Sequence, residues 1–221
     1  MKHAVILAHP APDSLTAQTA RTYADTVRAL GQAVLVRDLY AMGFDPCLKA
    51  QELSGPDGPS PAPDIAAERA LVADVDVFAF FYPFWFNAPP AILKGYVDRM
   101  FGLGYGFHAA QGGNEPGLSD KRLISFTSSG APDSWVAETG ALAALRQHFD
   151  GHIAGVCGLN VIDHLHHGGV VPGLTQDAVA DPGRGGPDRA PALRPGGLSD
   201  KVVRHDEAPG ASGKRPEKPG P

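Results

Sequence analysis

Cysteine is scarce in this chain: Cys47 and Cys157 are the two in 221 residues. Two thiols so far apart supply neither a disulfide framework nor zinc-ligand spacing, and they fit a reducing compartment. Long apolar runs are missing as well, since no stretch of about 18 apolar residues is present to cross a bilayer. Basic charge is not in excess. Lys and Arg number 19 against 24 Asp and Glu, and a net charge of −5 argues against a footprint for nucleic acid or for an anionic membrane surface. Three signatures are absent: the G-x-G-x-x-G dinucleotide fingerprint, the G-x-x-x-x-G-K-[ST] phosphate loop and the G-x-S-x-G nucleophile elbow. Met1-Lys2-His3 runs directly into Ala4-Val5-Ile6-Leu7-Ala8, too short for a signal-peptide core and followed by no small-residue cleavage pattern. A first strand of a soluble, cytoplasmic protein is expected there, with no membrane insertion and no nucleic-acid partner.

With 43% hydrophobic residues the chain can bury one substantial core. Ala4 to Ala8 is a continuous apolar run, as in a strand buried on both faces, and the polar loop His9 to Ser14 follows it. From Thr16 to Leu30 the residues Ala17, Ala20, Ala24, Val27 and Leu30 recur at helical spacing, and Gly31 supplies the stop. Ala33 to Val36 reads as a second strand. Ser54 to Pro63, with four prolines and two glycines, reads as a loop. Asp64 is placed to cap a helix with Ile65, Leu71 and Val72 on its apolar face, leading to a central strand over Val75 to Tyr82. Pro89 or Pro90 starts a helix ending near Phe101, Leu123 to Phe126 forms strand four, and Asp133 or Ser134 opens a helix carrying Val136, Leu142, Leu145 and Phe149. Leu159 to Ile162 forms strand five. Strands alternating with helices at this spacing predict an α/β fold, a flavodoxin-like doubly wound five-stranded parallel sheet with helices on both faces.

Residues 1–179 make up that domain. Residues 180–221 hold eight prolines and eight glycines in 42 positions and read as a disordered tail. Thr175 to Val179 leaves barely one turn of the helix that normally covers strand five, so an exposed apolar strip is expected there.

Ligands of an open parallel sheet bind at the carboxyl ends of its strands, near the point where strand order reverses. Three loops reach that edge. His9 to Ala17 ends at a helix amino terminus, where free amides and the dipole favour an anion, and Ser14 and Thr16 add hydroxyls suited to a diphosphate. Ser14 as a simple helix cap is the plain alternative. The loop Pro83-Phe84-Trp85-Phe86-Asn87-Ala88 is walled by three aromatics and suits a flat conjugated ring, unless those rings merely cap the core. Phe126-Thr127-Ser128-Ser129-Gly130 can aim amides at ring carbonyls and stabilise negative charge on a reduced ring, or be an ordinary turn. His164, His166 and His167 admit a metal reading, but no carboxylate or cysteine at ligand spacing completes the set, and they can equally edge a substrate pocket. With no covalent nucleophile in evidence, redox work by a bound cofactor is what remains.

Val5-Ile6-Leu7-Ala8-His9-Pro10 with Ser14 and Thr16, Arg37-Asp38-Leu39-Tyr40-Ala41-Met42-Gly43-Phe44-Asp45-Pro46, and Pro83 to Phe101 with Pro90-Ala91-Ile92-Leu93-Lys94-Gly95 resemble the flavodoxin-like NAD(P)H:quinone oxidoreductases, the DT-diaphorase family. The resemblance covers Lys2 to Val179. It implies a homodimer with flavin at the subunit boundary, in which NADH or NADPH and a quinone take turns in a two-electron cycle. It assigns His9, Ser14, Leu15, Thr16 and Gln18 to the diphosphate and adenosine side, which favours FAD over FMN. Pro83, Phe84, Trp85 and Phe86, with Thr127, Ser128, Ser129 and Gly130, are assigned to the ring. Trp135 stands where the family often has a tyrosine, no histidine matches the family's near Ala141, and Tyr105 and Phe107 are expected to shape the acceptor pocket. A terminal helix implied by the resemblance has no counterpart in the tail. Flavin-binding ancillary subunits of potassium-efflux systems offer a second reading of the same residues. A one-electron flavodoxin fits less well, because no hydroxyl-rich phosphate loop follows the first strand.

Overall fold

A computed structural model describes residues 1–53 and 60–171. Strands β1 (Lys2–Leu7), β2 (Ala33–Asp38), β3 (Val77–Pro83), β6 (Arg122–Ser128) and β7 (Asn160–His167) form one parallel sheet in the order β2-β1-β3-β6-β7. The chain steps outward from β1 to β2 and then crosses back to β3. Strand order therefore reverses between β1 and β3, which places the ligand edge at their carboxyl ends.

All seven residues of β3 are buried, and the pleat deals them alternately to two cores. Phe78, Phe80 and Tyr82 face α2 (Pro63–Leu71), α3 (Ala91–Met100) and the helical turns near Phe149, whereas Val77, Ala79 and Phe81 face α1 (Leu15–Ala29). On the α1 side Phe81 stacks on Phe126 at 4.5 Å with planes 3° apart, and Tyr23 of α1 closes on both rings. Each such ring contributes roughly 2 kcal/mol of burial. Ser14 accepts from the Ala17 amide at 3.2 Å to start α1, and Gly31 at φ +74 stops it where a side chain would be strained.

Several expectations change in detail. Asp64 lies in the first turn of α2 after an Ala62 N-cap, and its carboxylate goes to Arg99 instead of capping. Leu71 is largely exposed, leaving Ile65 and Val72 as the buried face. The single helix expected after Asp133 is four pieces: α4 (Asp133–Glu138), α5 (Ala141–Leu145), a π-helical segment (Arg146–Gly151) and α6 (His152–Cys157). Gly140 at φ +69 breaks the first piece from the second, and the wider π turn brings Asp150 inward to 1% exposure. An antiparallel hairpin, β4 (Phe107–Ala110) with β5 (Gly113–Pro116), precedes β6, and its alternation is too short to stand out in the sequence. Strand β7 extends to His167, five residues past the expected Ile162, with a bulge that inserts Ile162 between the pairs Leu123–Val161 and Ile124–Asp163. Ile162 and Leu165 of β7 are only partly covered, beside buried Ile124 and Phe126. The expected disordered tail, and whatever follows β7 past Val171, lie outside the described residues. Among those residues no helix is long and apolar enough to cross a membrane.

The two cysteines are chemically unlike. Cys47 is exposed, while Cys157 is 2% exposed at the end of α6 and burial pushes its thiol up to about 11. Because the thiolate is the nucleophile, a disulfide reagent at pH 8 is expected to titrate one thiol per native chain and two in denaturant. Rapid release of two equivalents from native protein would contradict this packing. The sign for stability follows. With its folded pKa raised, Cys157 stabilises the native state below about pH 9, and that contribution is lost as pH rises toward 11.

Candidate active site

The crest is assembled by hydrogen bonds between neighbouring loops. Ala8 donates its amide to Phe81 O at 2.9 Å, and Phe84 donates to Ser128 O at 2.7 Å, tying the loops after β1, β3 and β6 into one edge. His9 leaves β1 half-buried, its Nδ1 accepting the Ala11 amide at 3.0 Å and its ring 5.7 Å from that of Trp85. Desolvation lowers its pKa, so the ring is neutral near pH 7. Thr16, 5% exposed, shares a hydrogen with Ser128 Oγ at 3.1 Å, bridging α1 to β6. A shallow recess lies between α1 and the ends of β6 and β7, lined by Leu15, Thr16, Thr19, Thr127, Ser128 and His167 among others.

The aromatic loop has unusual backbone. Phe86 and Asn87 sit at φ +48 and +56, and Ala88 donates to Trp85 O at 3.0 Å, the pattern of a type I′ turn built without glycine. Such strain at a ligand edge usually persists for function. Its effect is to hold Phe86 fully exposed and Trp85 44% exposed, while Pro83 and Phe84 stay buried beneath.

The third loop differs from expectation in where its hydroxyls go. Thr127 Oγ1 lies 2.9 Å from His164 Nε2 and 2.8 Å from His166 Nδ1, and Ser129 Oγ lies 3.0 Å from His166 Nε2. With Ser128 engaged by Thr16, each of the three hydroxyls has a partner within the protein, and the backbone at Gly130 is exposed at the edge. Behind them His164 Nδ1 meets Asp150 Oδ2 at 2.5 Å, and Ser125 donates to Asp150 Oδ1 at 2.9 Å. Burial pushes the His166 pKa down to about 4 against the opposing pull of Asp133. Burial and then Asp150 raise the Tyr82 hydroxyl well above its ordinary range, with nearby Ser125 acting the other way; no partner in hydrogen-bonding geometry was found for that hydroxyl among the described residues. No metal-binding cluster occurs among those residues either. Asp150 escaped sequence reasoning because Phe149-Asp150-Gly151 looks like a helix end, and only its apolar neighbour hints at burial.

His9, Ser14, Leu15, Thr16, Pro83, Phe84, Trp85, Phe86, Thr127, Ser128, Ser129 and Gly130 are therefore brought to one edge. Gln18 bends back to donate to Asp13 O at 2.7 Å, and Trp135 stands half-exposed on α4 next to the third loop. Tyr105 and Phe107 are not at this edge. They follow α3, which descends from the crest, and Gly106 O accepts from Gly117 at the opposite, amino-terminal end of the sheet. Tyr105 packs on Phe101 at 6.3 Å under the Arg69 guanidinium, and burial pushes its hydroxyl up to about 12.

A parallel sheet of this order, with anion-favouring amides, a solvent-facing aromatic turn and a polar loop on one crest, defines the flavodoxin class of nucleotide-type binders. The chain belongs to the flavodoxin-like fold family, whose model matches residues 1–182. It is similar to an uncharacterized NAD(P)H oxidoreductase of Haemophilus influenzae, 28% identical over 167 residues that cover 74% of this chain and 81% of that protein. The solved NAD(P)H:quinone oxidoreductase from Methanothermobacter marburgensis superposes with a TM-score of 0.70 at 27% identity, covering 78% of this chain and 89% of that one. General stress protein 14 of Treponema denticola, solved in complex with FMN, shares the fold at a TM-score of 0.56 and 21% identity, covering 76% and 86% of the two chains.

Proposed function

We propose that the protein is a flavin-dependent NAD(P)H dehydrogenase (quinone), an oxidoreductase that passes two electrons as hydride from NADH or NADPH to a quinone or similar aromatic acceptor. The observation that carries this reading is the strained turn holding Trp85 and Phe86 outward, with His9 against Trp85, on the edge where the Gly130 backbone is exposed. A flat ring finds an apolar face and polar edge partners there. The donor set fits a flavin nucleotide. Amides of the first turn of α1, with Ser14 and Thr16, suit phosphate oxygens, and Trp85 suits the ring. When bound, the flavin supplies the hydride-accepting and hydride-donating centre. The chain's own residues orient that centre: the Thr16–Ser128 bridge fixes the helix start against β6, and His9 buttresses Trp85.

FAD is the preferred form, because the His9 to Gln18 stretch is long enough in donors to engage a diphosphate. A homodimer is supported by exposed apolar side chains beyond β2 and on α2, namely Tyr40, Met42, Leu48, Leu53 and Leu71. Two free thiols, one of them exposed, support a reducing, cytoplasmic compartment. Purified protein should be yellow, release FAD on denaturation, and oxidise NADH or NADPH with a small quinone. Trp85→Ala should weaken flavin retention about tenfold, the loss of ~1.4 kcal/mol of ring contact. A colourless preparation that takes up neither FAD nor FMN would refute the proposal.

A further inference from the structure

Asp150, His164, Thr127, His166 and Ser129 form an unbroken hydrogen-bonded string from the buried π turn to the crest, with successive separations of 2.5, 2.9, 2.8 and 3.0 Å. Each ring nitrogen and hydroxyl in it is shared between neighbours, so the hydrogens can be arranged in two self-consistent ways. With Asp150 ionised, His164 Nδ1–H donates to the carboxylate. Thr127 then donates to His164 Nε2, His166 Nδ1–H donates to Thr127, and Ser129 donates to His166 Nε2. Adding one proton reverses every bond: Asp150 becomes the donor to His164 Nδ1, His164 Nε2–H donates to Thr127, Thr127 to His166 Nδ1, and His166 Nε2–H to Ser129. The displaced Ser129 hydrogen finds a place already built for it, the Ala131 carbonyl at 2.9 Å.

We propose that this string stores one proton at the Asp150–His164 pair and releases it through His166 and Ser129 to the quinone during turnover. The proposal rests on the quinone-reductase reading above. Converting a quinone to a quinol takes two electrons and two protons. The hydride that originates on NAD(P)H brings both electrons and one proton, and the string brings the second proton, returning to its carboxylate polarity until solvent reloads it. Ser129 ends the string, and His166, which feeds it, stands edge-on to Phe84 at 5.7 Å in the crest. The charged and titratable groups facing the string are Asp133 of α4, Arg146 of the π segment, which donates to the His164 carbonyl, Asp163 and His167 of β7, and Tyr82 of β3. Desolvation disfavours an imidazolium at His166, so a proton passes through that ring without resting on it. Asp150 and His164 act through their neighbours and are positioning residues.

Rapid mixing of the flavin-loaded protein separates the two half-reactions. Thr127→Val removes the central link, and it should slow reoxidation by a quinone about 100-fold more than it slows reduction by NAD(P)H. Thr127→Ser should restore the rate. Asp150→Asn, remote from the crest, should reproduce the defect and abolish the fall of the reoxidation rate at high pH. Independently of turnover, nitrogen-15 NMR of the flavin-free protein should find the hydrogen of His166 moving from Nε2 to Nδ1 as the pH is raised, a switch absent in Asp150→Asn. Unchanged reoxidation in Thr127→Val, equal slowing of both half-reactions, or a His166 tautomer indifferent to pH overturns the string. A wild type that holds no flavin overturns the functional reading and the delivery step together, and differs plainly from a yellow, active enzyme whose variants behave normally.

Discussion

Gly95→Ala is expected to remove most folded protein from the soluble fraction, although alanine is the better helix former by about 1 kcal/mol. Gly95 lies in the interior of α3, where a Cβ would stand 2.1 Å from Pro46 O, 2.4 Å from Pro46 Cβ and 2.5 Å from Pro46 Cα. None of these atoms is the far end of a flexible side chain. Pro46 is held in place from both sides, because Arg99 donates to the adjacent Asp45 carbonyl at 2.7 Å and Phe44 packs edge-on to Tyr96 at 5.3 Å. Relieving the overlap means prising the segment after β2 away from α3. Overpacking of this kind costs about 3 kcal/mol or more, far beyond the propensity gain. Urea denaturation of whatever remains soluble should show a midpoint lowered by a third or so of typical domain stability, roughly 3 of 10 kcal/mol. A midpoint equal to that of the wild type would mean that α3 and the Pro46 segment are not in contact.

Replacing Arg99 with methionine should cost nearly as much for an electrostatic reason. The Arg99 side chain is 2% exposed and that of its partner Glu52 3% exposed, with Nε lying 3.1 and 3.2 Å from the two carboxylate oxygens. The same guanidinium donates to Asp64 at 2.8 and 3.0 Å. Desolvation alone would raise the Glu52 pKa, but the Arg99 bonds outweigh it and hold the carboxyl below its ordinary range. Methionine strands that carboxylate without its cation, a loss of about 3–5 kcal/mol. The sign of the pH dependence is a further check. A depressed folded pKa stabilises the native state above the unfolded carboxyl value and is lost as pH falls, so the gap between wild type and Arg99→Met should narrow from pH 7 toward pH 4. Adding Glu52→Gln to the variant should recover part of the loss. Equal stability of Arg99→Met and wild type at pH 7 would show that water reaches Glu52.

The strands were legible where burial on both faces left an unbroken apolar run, as in Ala4 to Ala8 and Val75 to Tyr82, because such runs need no knowledge of their neighbours. The crest loops were legible for a related reason: each is punctuated by proline, glycine or hydroxyl residues directly after a strand. Features decided by distant partners were not. Asp64 has the chemistry of a helix cap and was diverted to an arginine 35 positions away. The helix expected after Asp133 has the right apolar spacing, but Gly140 and the π turn change its phase, and only that change brings Asp150 under the sheet. Tyr105 and Phe107 carry aromatic rings suited to a pocket, yet the descent of α3 delivers them to the other end of the sheet. The hydroxyls of Thr127 and Ser129 face histidines that local sequence gave no means of pairing with them.

The extra residue in β7 has a consequence for how the chain tolerates change. Were the bulge flattened with Ile162 kept in the ladder, Ile162 would pair with Ile124, Asp163 with Ser125 and Leu165 with Thr127, and both imidazoles would swing to the side that now carries Phe81 and Phe126. Losing that one residue has the opposite outcome: Val161 stays opposite Leu123 and Asp163 opposite Ile124, so the ladder closes with its register from Asp163 onward unchanged. The bulge thus gives the strand one position of slack. Lineages that lose a residue between Gly158 and Asp163 should keep both their acid–base behaviour and the ligand they hold.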